Sequence, residues 1–393
     1  MSPAPAAPEA GFKRALGAVD AAVVVAGSIL GVGIFVNPAN VARIVGDPSL
    51  SVLAWIAGGV VALLGALVYA ELGARLPLVG GQYRYLATAI HPAVGFLYGV
   101  ALLFIINGGA VAAVAIVLAG HVDAHFVHLG PLGVRLLAAA VIATLTAINT
   151  VGVAAGKWTN NLLMAFKLLG IVALVALAAW KRPAAASALG IPPLDGRAPS
   201  LLLAAMVPVM FAYGGWQNCG AIAGEVRDPA RNLARANLLG VAVVVAAYVG
   251  LNVVYLRVLP ASAVASSTGV AADVARALVG PIGGRLVAGL IVVSCLGWLS
   301  VIVLTGPRLY YAMAQDGLFF RPAAALHPRF RTPVFSLWLQ AAVSIALVAA
   351  NTYDQLLSYV VFADWLFFAL AAVGLFILRS RSRRRPSARP ATR

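Results

Sequence analysis

Two short stretches carry the residues best suited to chemistry. Gly27-Ser28-Ile29-Leu30-Gly31-Val32-Gly33-Ile34-Phe35 puts three glycines within seven residues of an apolar run, and Phe211-Ala212-Tyr213-Gly214-Gly215-Trp216 puts a Gly-Gly pair after Pro208 in another. In a helix interior glycine costs about 1 kcal/mol relative to alanine, and proline about 3. Both runs are therefore expected to break, although Gly27 and Gly31 also have the spacing of close helix packing. A helix broken inside an apolar layer bares N–H groups of partial positive charge at the start of its second half, and carbonyls at the end of its first. The N–H groups of Gly31, Val32 and Gly33 are suited to a carboxylate. Carbonyls near Ile29, Phe211 and Gly214 are suited to an ammonium. A site with both ends fits a zwitterion, an α-amino acid.

The elements that must hold these breaks are set by composition. Of 393 residues, 62% are hydrophobic and 10% charged, against about 25% charged in a soluble globular domain. A water-soluble, fibrous or disordered chain is excluded, and the solvent for most of the surface is lipid. Spanning helices need about 20 residues. Ten apolar runs qualify: 18–43, 50–73, 92–121, 133–153, 158–180, 200–223, 236–258, 285–311, 333–350 and 354–378. A weaker helical pattern covers Val270 to Leu278. The breaks fall in the first and sixth runs, about ten residues in. Paired interrupted spans at matching places of two halves point to an inverted-repeat transporter. The expected organisation is a disordered cytoplasmic N-terminus (1–17), a first repeat of five spans (18–180), a second of five (200–378) and a basic cytoplasmic tail (379–393).

The net charge of +16 resembles a nucleic-acid footprint, but Arg379, Arg381, Arg383, Arg384, Arg385, Arg389 and Arg393 crowd the last 15 residues. With the N-terminus inside, the inner side also receives Lys13, Arg14, Arg75, Arg84, Lys157, Arg227, Arg231, Arg235, Arg308, Arg321, Arg329 and Arg331. The outer side receives Arg43, Arg135, Lys181, Arg182, Arg197, Arg257, Arg276 and Arg285. This asymmetry places both termini in the cytoplasm, with lipid rather than nucleic acid as the partner of the basic residues.

The motifs resemble those of the amino acid–polyamine–organocation permeases, most closely the L-type amino acid transporter branch. The run from Gly27 to Phe35 is similar to that family's first-helix motif. Glu71-Leu72-Gly73-Ala74-Arg75-Leu76-Pro77-Leu78-Val79-Gly80-Gly81-Gln82-Tyr83-Arg84-Tyr85 resembles its loop after helix two. Phe211 to Asn218, followed by Glu225-Val226-Arg227-Asp228-Pro229-Ala230-Arg231-Asn232-Leu233, resembles helix six and its exit. Arg308-Leu309-Tyr310-Tyr311-Ala312-Met313-Ala314-Gln315-Asp316-Gly317 resembles the end of helix eight. The resemblance implies an all-α membrane protein with a LeuT-like five-plus-five inverted repeat. It implies alternating access, with Phe211 as an aromatic gate and Asn107 facing the substrate; on the residues alone, Phe211 equally fills core space and Asn107 equally makes a helix–helix hydrogen bond. Most members have twelve helices where this chain has ten candidate spans, so the resemblance leaves the oligomeric state open.

Few charges lie inside the spans. Lys167 is ten residues after Lys157, about 15 Å along a helix, and an intramembrane lysine is a functional candidate by default. By resemblance it occupies the place where sodium-coupled relatives hold a cation, so it is expected to brace the first break or to carry a coupling proton. Asp364 lies mid-span, as a proton carrier or a satisfied structural acid. Trp298 and Trp216 are candidates for the pocket wall or for packing. Glu71, Glu225 and Asp316 stand at span ends near arginines. His121, His125 and His128 cluster with Asp123 but lack the carboxylate of a zinc-protease motif. Cys219 and Cys295 form no metal or redox spacing. No P-loop, dinucleotide fingerprint or nucleophile elbow is present. The expectation is therefore a transporter in a bacterial inner membrane, not an enzyme, with no cofactor or metal. It would be a sodium-independent amino acid permease, exchanging or proton-coupled, for a neutral or small substrate. The alternative is a proton-coupled carrier of cationic amino acids or polyamines.

Overall fold

The structure, a computed structural model, describes residues 17–76, 81–151, 156–181, 186–192, 194–217, 226–330 and 332–383; the side chains of 156–168, 229–230 and 383 are not among those described. The chain is built from helices. In order they are α1 (Ala18–Ile29), α2 (Gly33–Val45), α3 (Pro48–Arg75), α4 (Gly81–Ala89), α5 (Pro92–Ala101), a π-helical segment (Leu102–Ile106), α6 (Asn107–His125), α7 (Gly130–Val151) and α8 (Gly156–Lys181). The second half holds α9 (Ala198–Tyr213), α10 (Pro229–Val258), α11 (Ala261–Ser266), α12 (Val270–Val279), α13 (Pro281–Gln315), a short 3-10 turn, α14 (Val334–Ala350) and α15 (Tyr353–Arg383).

Six of the described helices are long and apolar enough to cross a membrane, and α1 with α2 makes a seventh such unit, bent by 49°. Shorter apolar helices occupy 169–181, 198–213 and 334–350. Together these stand where the ten apolar runs predict spans. The weak pattern at 270–278 is the separate helix α12, and α15 continues to Arg383, past its expected end at 378.

Local chemistry sets many helix ends. Asp47 caps α3, its carboxylate accepting the Leu50 N–H at 2.8 Å, with Pro48 at the first position, where a missing N–H costs nothing. Gly280, at φ +84°, turns the chain into α13, again with proline first.

Two packing groups result. One joins α1 and α3 to α10, and α2 and α3 to α9; the other joins α6 to α7 and α13, α7 to α14, and α8 to α13. Helix α15 lies between them, touching α6 and α9. Small residues permit the closeness that lipid-embedded helices rely on: Gly59 of α3 faces Val245 and the Tyr213 hydroxyl. Trp55, Tyr213 and Tyr248 form an edge-on aromatic cluster within the first group, and the Tyr213 hydroxyl donates to the Trp55 carbonyl at 3.0 Å.

Candidate substrate site

The first break is a tight reversal at Leu30, Gly31 and Val32. The Leu30 N–H ends α1 on the Ala26 carbonyl at 2.8 Å, and the Gly31 N–H folds back on the Ile29 carbonyl at 2.6 Å. Helix α2 restarts at Gly33. The second break follows Tyr213: the Gly214 N–H reaches the Phe211 carbonyl at 3.3 Å, and Gly215 takes φ +128°, a conformation open to glycine and strained for other residues. The Gly215 N–H donates to Oε1 of Gln217 at 2.8 Å.

The two breaks lie against each other. A β-carbon added to Gly33 would stand 2.7 Å from the Cα of Ala212. One added to Gly215 would overlap the Ser28 carbonyl oxygen and stand 2.9 Å from the Ile29 nitrogen. Each break thus needs a bare backbone at the point where it meets the other. Tyr248 of α10, fully buried, lies across the join. Its hydroxyl is 3.0 Å from the Ile29 carbonyl oxygen and 3.2 Å from that of Ala212, so its single proton is shared or alternates between them.

A cavity of about 110 Å³ opens at this junction. Ile29, Gly31, Val32, Gly33, Asn107, Phe211 and Gly214, all seven substrate-site candidates, line it. Val32 and Gly33 head α2, where first-turn N–H groups have no intrahelical acceptor. The proposed roles of individual backbone groups change, however. The Gly31 N–H is engaged by Ile29, and the Ile29 carbonyl already accepts from Gly31 and Tyr248, so it is not the free acceptor expected. The N–H groups left free at this break narrow to the start of α2.

Asn107 reaches the cavity through an unforeseen device. The five residues before it, Leu102–Ile106, form a wide π turn, a feature that often marks functional helices. Of the two tryptophans, Trp298 lines the cavity, whereas Trp216 is packed between Tyr69 and Phe368, with ring centroids 4.9 and 4.6 Å away. Asp364 lines the cavity beside Trp365 and Phe368. It makes no hydrogen bond or ion pair with another described residue. Lys167 belongs to α8, which packs on α13, but its side chain lies outside the described residues, as do Glu225 and Cys219.

Phe211 meets Tyr353 edge-on at 6.4 Å, beside a polar chain that closes one end of the bundle. The Tyr353 hydroxyl donates to Asn37 Oδ1 at 2.8 Å, and Asn37 Nδ2 donates to the Pro208 carbonyl at 2.8 Å. Asn40 continues the chain to Asp354 at 3.3 Å and receives Arg43. At the other end Glu71 holds Arg75 and Arg379, while Asp316 holds Arg84 at 3.1 Å and the Tyr83 hydroxyl at 2.7 Å. Burial, reinforced by Asp316, pushes the Tyr83 hydroxyl up to about 12, so it stays a neutral donor. Arginines beside these acids are thus as expected, though Asp316 pairs with Arg84 of α4. Asp123 accepts the Leu129 and Gly130 N–H groups at 2.7 and 3.0 Å, fastening the turn that follows α6. Sequence reasoning missed Tyr248 and Asn37, which sit in apolar runs without a spacing signal, and Tyr353, which falls in the short polar link between the last two runs.

These features define an all-helical membrane protein whose bent and interrupted helices converge on a buried cavity. The family described as "Amino acid permease" matches residues 16–392, and the chain belongs to it. The serine/threonine exchanger SteT of Bacillus subtilis is 29% identical over 376 residues, covering 95% of this chain and 85% of that protein. The human b(0,+)-type amino acid transporter 1 is 29% identical over 375 residues, covering 94% of this chain and 76% of the relative. The human large neutral amino acids transporter small subunit 2 is 28% identical over 399 residues, covering 95% and 72%.

Proposed function

We infer that the protein is a sodium-independent α-amino acid permease working by alternating access, most readily as an exchanger. The observation that carries this is the cavity at the junction of the two interrupted helices in a chain of the amino acid permease family. The substrate carboxylate lies at the start of α2, where the helix end carries partial positive charge, and the ammonium lies toward the carbonyls that end α9. Phe211, braced by Tyr353, is the gate. Residues 18–180 and 200–378 are the two inverted repeats, and the reciprocal contact of their breaks supports that pairing. Lys167 supplies a fixed cation in place of sodium. The basic residues put both termini in the cytoplasm of a bacterial inner membrane, with the chain Asn37–Tyr353 on the outer side.

The test is counterflow of labelled amino acids into proteoliposomes, with sodium replaced by an organic cation. Saturable flux that is stimulated from the opposite side and indifferent to sodium is expected. Absence of saturable flux for every amino acid overturns the reading. Asp364 favours a second reading, the proton-coupled carriage of cationic amino acids or polyamines. Polyamines would leave the start of α2 without an anion, which favours amino acids.

A further inference from the structure

The cavity holds an unbalanced charge. Among its described lining residues Asp364 is the only ionisable one with a formal charge at neutral pH. A zwitterion is matched by the helix ends alone, its carboxylate at Val32 and Gly33 and its ammonium at the α9 carbonyls. That match leaves the Asp364 carboxylate without a counter-charge among the described residues, in a low-dielectric setting where an unpaired ion is strongly disfavoured. The nearby walls are Trp298, Trp365, Phe368 and Phe211, rings whose faces attract cations.

We propose that Asp364 selects the substrate side chain, giving the site a preference for α-amino acids that carry a second, side-chain ammonium or guanidinium. This rests on the amino acid permease reading above and revises the expectation of a neutral substrate, because the mid-span acid faces the cavity instead of pairing with a neighbouring helix.

The experiment is a competition panel against the wild-type protein and Asp364→Asn in proteoliposomes, using labelled ornithine and labelled alanine, at matched and at imposed pH gradients. In the wild type, ornithine should be preferred over alanine by about tenfold or more, a difference of about 1.4 kcal/mol. Asp364→Asn should abolish that preference, lowering ornithine transport far more than alanine transport, and Asp364→Glu should restore part of it. Three results overturn the proposal: a wild type that prefers alanine, an Asn variant that keeps the ornithine preference, or a variant that loses only its response to a pH gradient. The last would make Asp364 a proton carrier. Failure of the wild type to move any amino acid would instead sink the permease reading itself. If the Asn variant does not fold, Asp364→Glu decides: an ornithine-to-alanine ratio unchanged from the wild type overturns the proposal.

Discussion

Gly33 and Ala212 meet backbone to backbone: a β-carbon on the glycine would come within 2.8 Å of the Ala212 methyl and 2.7 Å of its Cα. The first break is therefore seated on the last turn of α9, and Gly215 seats the second break on Ser28 and Ile29 in return. Neither interruption can shift far without the other.

Gly33→Ala should destabilise the protein by about 1–3 kcal/mol, the usual cost of overpacking, and lower exchange. The double change Gly33→Ala with Ala212→Gly should recover only a small part of the loss, because the Ala212 Cα, 2.7 Å from the added carbon, remains when the methyl is removed. Thermal unfolding in detergent and counterflow check both. A double variant restored to the wild-type melting temperature would place the effect on the methyl alone and not on the backbone contact.

Tyr248→Phe removes the only described side-chain donor to the Ile29 and Ala212 carbonyls. A buried acceptor left without its partner costs about 1–3 kcal/mol. The variant should melt earlier and exchange more slowly, with less change in apparent affinity, since the hydroxyl braces the breaks rather than lining the cavity. Concentration dependence of counterflow separates the two quantities.

Asn37→Ala unties Tyr353 and the Pro208 carbonyl together. Because Tyr353 supports Phe211, this change and Phe211→Ala should perturb the same step. Each should reduce exchange several-fold, and the pair should fall well short of the product of the two effects, as expected for residues in contact. A double variant whose loss equals that product would separate Asn37 from the gate.

Ion pairs at the opposite end are a contrast. Arg379, Glu71 and Arg75 are partly exposed, and such pairs contribute little to stability. Arg379→Gln should leave the melting temperature nearly unchanged, and what change there is should shrink as salt is raised.

The sequence made the breaks visible because glycine and proline act through the backbone, whose preferences are local. For the same reason the first break could be placed within a residue or two, and all seven residues proposed for the site do border one cavity. What stayed hidden depends on contacts across the chain. Tyr248 is one more aromatic in an apolar run until α10 lies beside both breaks. Asp364 offered no clue to its facing, since only the packing of α15 against α6 and α9 decides which side of that helix looks inward. The fate of the Ile29 carbonyl was equally illegible, because helix-end chemistry predicts which groups are freed but not which neighbours take them up.

The wide turn at Leu102–Ile106 has a further effect on everything that follows it. Accommodating one extra residue advances the phase of the downstream helix by about 100° relative to an unbroken α-helix. Asn107 owes its bearing on the cavity to that offset rather than to its place in the heptad-like order of its neighbours. Removing one residue from 102–106 would rotate the whole of α6 as a dial is turned by one notch, carrying the amide off the cavity while leaving every other residue of the chain the same.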